Sequence, residues 1–112
     1  MNENKRYVII IRSDGEVAKK LWLPEMGLLE LQELVGGYIE TAPADSEDFV
    51  LIVNEEGKNE DLPRNKKATR ILPKFIQKKD YIVGTAVLMK RGREDVEPMT
   101  AAEAALWMSK IG

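Results

Sequence analysis

The chain has 112 residues, 44% hydrophobic and 32% charged, the composition of an ordinary globular domain long enough to bury a core without staples. It holds no cysteine, which excludes disulfides, zinc–thiolate sites and thiol nucleophiles, and no histidine, which removes the usual general base and the commonest transition-metal ligand. The net charge of −2 conceals two opposed blocks: residues 40–61 hold eight acids and one lysine, and residues 62–79 hold seven bases and no acid.

Residues 1–6, Met1-Asn2-Glu3-Asn4-Lys5-Arg6, lack a signal-peptide core, and the longest apolar runs have five residues. A cytoplasmic location without membrane contact is therefore expected. Residues 7–11 (Tyr-Val-Ile-Ile-Ile) form a continuous β-branched run, as in a central strand covered on both faces. Ser13-Asp14-Gly15-Glu16 signals a hairpin. The return strand, 17–23, carries Lys19 and Lys20 and reads as an edge, closed by Pro24.

Leu28, Leu31, Leu34 and Val35 recur at helical spacing and share one face, with Gly27 as N-cap and Glu30 at the third helical position. Gly36-Gly37 then ends the helix, and residues 38–41 begin a strand. The loop 42–48 holds proline and acids and is expected to be solvated. Residues 49–53 (Phe-Val-Leu-Ile-Val) read as a second central strand, turned by Asn54-Glu55-Glu56-Gly57 with the glycine at positive φ.

A second helix opens at Pro63 or Asn65, and Ala68, Ile71, Leu72, Phe75 and Ile76 keep the spacing of one apolar face. Pro73 interrupts it, so two turns to Ile71 and then an irregular or restarted segment are expected. Residues 81–89 read as the last strand with a bulge at Gly84, and 90–95 as a charged loop. Thr100 and Glu103 make a capping box for a closing helix, residues 100–110, so apolar that it needs a surface to cover it. Together these elements predict a single α+β domain, 1–112, with a core over about 6–90. Its sheet has about five strands, antiparallel or mixed, with an N-terminal hairpin, a leucine helix, a short second helix and a C-terminal helix.

Three blocks carry a resemblance. They are residues 31–40 (Leu-Gln-Glu-Leu-Val-Gly-Gly-Tyr-Ile-Glu), residues 53–58 with 62–69, and residues 82–88 (Ile-Val-Gly-Thr-Ala-Val-Leu). In this order and spacing the chain resembles domain of unknown function 3846, small proteins of Gram-positive bacteria, their phages and mobile elements, over roughly residues 7–103. The resemblance brings no catalytic or ligand residue to carry over. The chain departs from the pattern at Pro24-Glu25-Met26-Gly27, where a polar helix cap is expected.

Few residues suggest chemistry. Asn54 to Asp61 clusters oxygen ligands around a glycine, but without the spacing of an EF-hand it reads as an exposed turn. Gly36-Gly37 follows a helix, whereas a phosphate loop precedes one. Three serines without a histidine offer no hydrolase constellation. Asn65 is a helix cap, or with Arg64 a ligand contact. Trp22 and Trp107 are core residues or partner anchors. Lys66, Lys67, Arg70 and Lys74 form a solvated helix face, or contact phosphates.

The leading expectation is a cytoplasmic, non-catalytic module without a cofactor. It would be an adaptor or regulator of a phage or mobile element, monomeric or homodimeric, that binds a protein partner. The alternative is a nucleic-acid-binding accessory protein using residues 64–79. If the turn after residue 53 folds beside the second helix, the charge blocks neutralise one another; if they face apart, the basic residues are free for phosphates.

Overall fold

A computed structural model describes residues 4–112; residues 1–3, part of the stretch read for a signal-peptide core, lie outside the described residues. The β-branched runs form the strands. β1 (Arg6–Ile11) and β2 (Val17–Trp22) make the N-terminal hairpin, with Gly15 at φ 98° in its turn. α1 (Leu28–Val35) follows, then β3 (Ile39–Pro43) and β4 (Phe49–Asn54). Two single-turn helices, α2 (Lys66–Thr69) and α3 (Lys74–Gln77), precede β5 (Ala86–Arg91), a two-residue β6 (Val96–Glu97) and α4 (Ala101–Ile111).

The sheet is six-stranded and antiparallel, in the order β2-β1-β5-β4-β3, with β6 paired to β5 beside that path. The fold is α+β. Strand alternation sends alternate side chains to opposite faces. Val8, Val50, Ile52, Val87 and Met89 pack with Leu31 and Val35 of α1 and with Trp22 on one face. Ile9, Ile11, Phe49, Leu51, Val53 and Leu88 pack on the other against Ala68, Ile71, Leu72, Ile82, Ala104 and Trp107. The three central strands are thus covered on both sides, as their unbroken apolar runs require.

α1 begins and ends as its sequence dictates. Glu30 Oε1 accepts the Gly27 N–H at 2.6 Å, Gly36 takes φ 82°, and the Gly36 and Gly37 N–H groups both donate to the Gln32 carbonyl. α4 keeps its capping box, with the Thr100 hydroxyl and Glu103 carboxylate exchanging hydrogen bonds with each other's backbone N–H. It docks on its own sheet, Trp107 meeting Phe49 edge-on at 5.3 Å. Among the described residues, no helix is long and apolar enough to cross a membrane.

Six readings are corrected. The solvated loop expected over 42–48 is shorter, because β3 runs through Ala42 and Pro43 and Ala44 is buried in the core. Residues 81–85 lie outside the strands, with only an isolated antiparallel bridge from Val83 to Arg64, and Gly84 is no bulge. The Ile82 and Gly84 backbones bond instead to Thr69, Asn65 and Pro63, and Gly84 adopts φ 71°. Those bonds override the β propensity of the segment. Lys90 and Arg91 belong to β5, because β6 pairs with them, so the loop is shorter than expected. Phe75 is 67% exposed rather than on the apolar face; the break at Pro73 restarts the helix in a new phase, leaving Ile76 half-buried. Leu28 is also exposed. Gly57 does not have positive φ, which falls at Asp61 instead. Gly57 is needed for space, since a Cβ there would lie 2.8 Å from Val83 Cγ2.

Candidate functional site

Among the described residues the buried polar ones are two asparagines, and both tie irregular chain to the sheet. Asn65, fully buried, donates from Nδ2 to the Ile11 and Gly84 carbonyls, each at 2.8 Å, and its Oδ1 accepts the Ala68 N–H at 3.0 Å. It is the N-cap of α2 and a bridge between β1 and the 82–84 segment. Asn54 donates to the Val35 carbonyl and the Glu60 carboxylate at 3.2 Å, and accepts the Glu56 N–H. Its side chain also fills the space a Cβ at Gly37 would need.

Three of the concavities among the described residues bear on the predicted residues. A groove of about 430 Å³ runs beside β3, between that strand and the segment from Leu72 to Val83. β3 is an outer strand of the sheet. The Glu55 N–H donates to the Tyr38 carbonyl at 2.8 Å. Alternation then turns the backbones of Glu40 and Ala42 toward β4 and those of Ile39 and Thr41 outward. Glu40 and Ala42 stand opposite Val53 and Leu51, so their side chains face the groove. Glu40, Glu55 and Asp80 line it with a single lysine, Lys58, which pairs with Asp80. That hydrogen bond, with one from the Tyr81 backbone, holds the Asp80 carboxyl below the usual range. Tyr38, at the head of the strand, is 73% exposed.

The second concavity, about 380 Å³, is basic. Arg12, at the hairpin turn, comes together with Arg64, Lys66, Lys67 and Arg70. Arg64 lies 3.8 Å from the Tyr81 ring centroid, and Lys67 Nζ donates to the Gly15 carbonyl at 2.9 Å. The third, about 450 Å³, is lined by Leu21, Trp22, Leu23, Met26, Val96 and Pro98 near the start of the described chain. Trp22 is its buried wall; Trp107 lines none of the three.

The predicted residues therefore separate. Arg64, Lys66, Lys67 and Arg70 converge, whereas Lys74 sits beyond the Pro73 break on α3 and outside the cradle. Arg12 was not legible as a member, because only the fold brings the hairpin turn to α2. Among the described residues the ion pairs are Arg12–Glu16, Lys58–Asp80 and Lys90–Glu103, and none joins the acidic block to the basic one. Nor, among those residues, is any group of three or more acids placed to hold a metal ion, the turn at 54–61 included.

The family model described as "Domain of unknown function (DUF3846)" matches residues 5–111, essentially the whole chain. No curated protein and no solved structure matches it.

Proposed function

The chain belongs to this family, and on that premise we propose that it is a small cytoplasmic, non-catalytic module that binds a protein partner through β3. Its origin in a phage or mobile element rests on the family resemblance alone. The observation that carries the reading is the difference between the sheet's two outer strands. β2 presents Lys19 and Lys20, with Lys19 Nζ 4.7 Å from the Tyr7 ring centroid, and lysines on an edge discourage further pairing. β3, Ile-Glu-Thr-Ala-Pro, has no lysine and opens onto a groove.

An extended segment added there would bond to the outward backbone of Ile39 and Thr41 and lay alternate side chains into the groove. With Lys58 and Asp80 paired to each other, Glu40 and Glu55 are left on the groove wall, and they favour a segment carrying lysine or arginine. Exposed Tyr38 adds an aromatic anchor. Pro43 limits the addition to a few residues, since it has no N–H to offer.

Thr41→Pro tests this, because it removes an outward N–H that the β3–β4 ladder does not use. Tagged protein is incubated with extract of the native host, with and without nuclease. A partner that survives nuclease and is lost with Thr41→Pro is expected, and Glu40→Lys should weaken it. Capture unchanged by Thr41→Pro, or abolished by nuclease, would refute the reading.

A further inference from the structure

We propose that the basic cradle is a second site, independent of β3, that holds a short run of phosphates of single-stranded nucleic acid without reading its bases. The cations reach it from two distant parts of the chain, and the fold fixes them there. Asn65 ties the start of α2 to the Ile11 carbonyl, next to Arg12. Lys67 is held by the Gly15 carbonyl, and also donates to the Gly112 carbonyl at 3.3 Å. Arg64 is laid on the Tyr81 ring.

Little neutralises them. The one acid lining the cradle, Asp14, accepts the Glu16 N–H, and Glu16 pairs with Arg12 at 3.3 Å. Arg64, Lys66, Lys67 and Arg70 form no ion pair with an acid among the described residues. In a chain of net charge −2, this is a concentration of charge against the average.

The shape and number of the groups select the ligand. Four cations without an ion pair, set against the single carboxylate of Asp14, exceed what one phosphate group requires, which favours a run of phosphates over a lone phosphorylated side chain. A concavity receives phosphates from a strand able to bend into it, whereas a duplex carries its phosphates on a convex cylinder. Base reading has no support. α2 is a single turn, too short to enter a groove, and the Tyr81 ring already carries Lys58 at 4.5 Å and Arg64 at 3.8 Å, so no base stacks on it. Affinity should then be of the generic kind, about micromolar at physiological salt.

The test is fluorescence anisotropy of the full chain with a labelled oligothymidylate across salt. Each phosphate contact in a single strand contributes a slope of about −0.7 in log affinity against log salt. Four contacts predict about −3, a loss of roughly 50-fold between about 50 and 200 mM. Changing Arg64, Lys66 and Arg70 together to Gln should leave roughly a 3-fold loss over that range, from one remaining contact. Changing Lys74, Lys78 and Lys79 together to Gln alters net charge equally, outside the cradle, and should leave the slope intact. Circular dichroism and melting confirm that both variants fold. Four results would overturn the proposal: an unchanged slope in the cradle variant, equal flattening by both variants, no binding at about 50 mM salt, or displacement of the oligonucleotide by inorganic phosphate or a phosphopeptide at matched ionic strength.

Discussion

The two faces of the sheet are covered in different ways. On one side a single helix, α1, is the main cover, burying Leu31 and Val35 between a carboxylate-bonded start and a glycine stop, with Met26 and Val96 packed beside it. On the other, the 62–84 segment and α4 share the task, and the first of these is two single helical turns joined by irregular chain. A regular helix satisfies its own backbone and needs only an apolar stripe. Irregular chain laid on a sheet must find partners for its N–H and C=O groups elsewhere, and here Asn65 and Thr69 supply them. The groove and the basic cradle both border this second cover. Irregular backbone leaves concavities that a smooth helix would close.

That contrast makes the second cover depend on one polar hub. Asn65→Ala is expected to be the most damaging single change, stranding two buried carbonyls and one N–H at a cost of about 5 kcal/mol, from roughly 1–3 for each group. Asn65→Asp sharpens the point. Aspartate caps a helix as well as asparagine does, but it would set an acceptor against the Ile11 and Gly84 carbonyls. Urea unfolding should place it no higher than Asn65→Ala; recovery of half or more of the loss would reduce Asn65 to a cap.

Next in size is α4. Trp107→Ala empties a buried site between α4 and Phe49 and should cost about 4 kcal/mol, and truncation after Pro98 should cost at least as much. A truncated chain that melted unchanged would show that the 62–84 segment covers that face alone. Leu106, 72% exposed on the far side of α4, should tolerate substitution.

On the α1 side the expected effects are smaller, because no single group carries the helix. Gly37→Ala brings a Cβ within 3.0 Å of Asn54 Nδ2, and the side chain must yield by a few tenths of an ångström. A loss of about 1 kcal/mol follows, in the range for mild overpacking. A much larger loss in thermal unfolding would mean that Asn54 is as critical to its side as Asn65 is to the other.

The same contrast decides what could be read without coordinates. α1, its glycine stop, the runs of β1 and β4, and the Thr100–Glu103 box are local patterns, and local patterns survive folding. The 81–84 segment misled because its β-branched residues bond to Asn65, Pro63 and Thr69, partners set only by the tertiary fold. Phe75 misled because its spacing to Ile71 assumed one continuous helix across Pro73. The basic residues of 64–70 were visible as a run, but not that Arg12 joins them or that Lys74 leaves. The open β3 edge was legible only as a strand, since which strands lie outermost depends on sheet order.

The smallest expected effect is one of pH, and it should separate the two covers. The first turns of α1 and α4 each hold a lowered carboxyl. Glu30 is lowered by the N–H of Gly27 and by its own backbone. Glu103 is raised by burial but lowered overall by Thr100 and Lys90. A lowered carboxyl stabilises above its ordinary value of about 4.5 and loses that contribution as pH falls through the folded value, so acid should loosen both sides. Lys90 is raised, first by its hydrogen bond to Glu103, with the nearby charges of Glu97 and Asp48 adding to it. Its contribution is complete below the ordinary 10.5 and disappears as pH rises through the folded value, so alkali should loosen α4 and spare α1. The tryptophans report on the two sides separately, Trp22 packed with Leu31 and Trp107 with Phe49. Trp22→Phe, which keeps Trp107, should show an emission change in alkali that Glu103→Gln removes, and Trp107→Phe should show none. Equal alkaline changes in both single-tryptophan proteins would mean that the covers open together and that the Lys90–Glu103 pair does not act on one side alone.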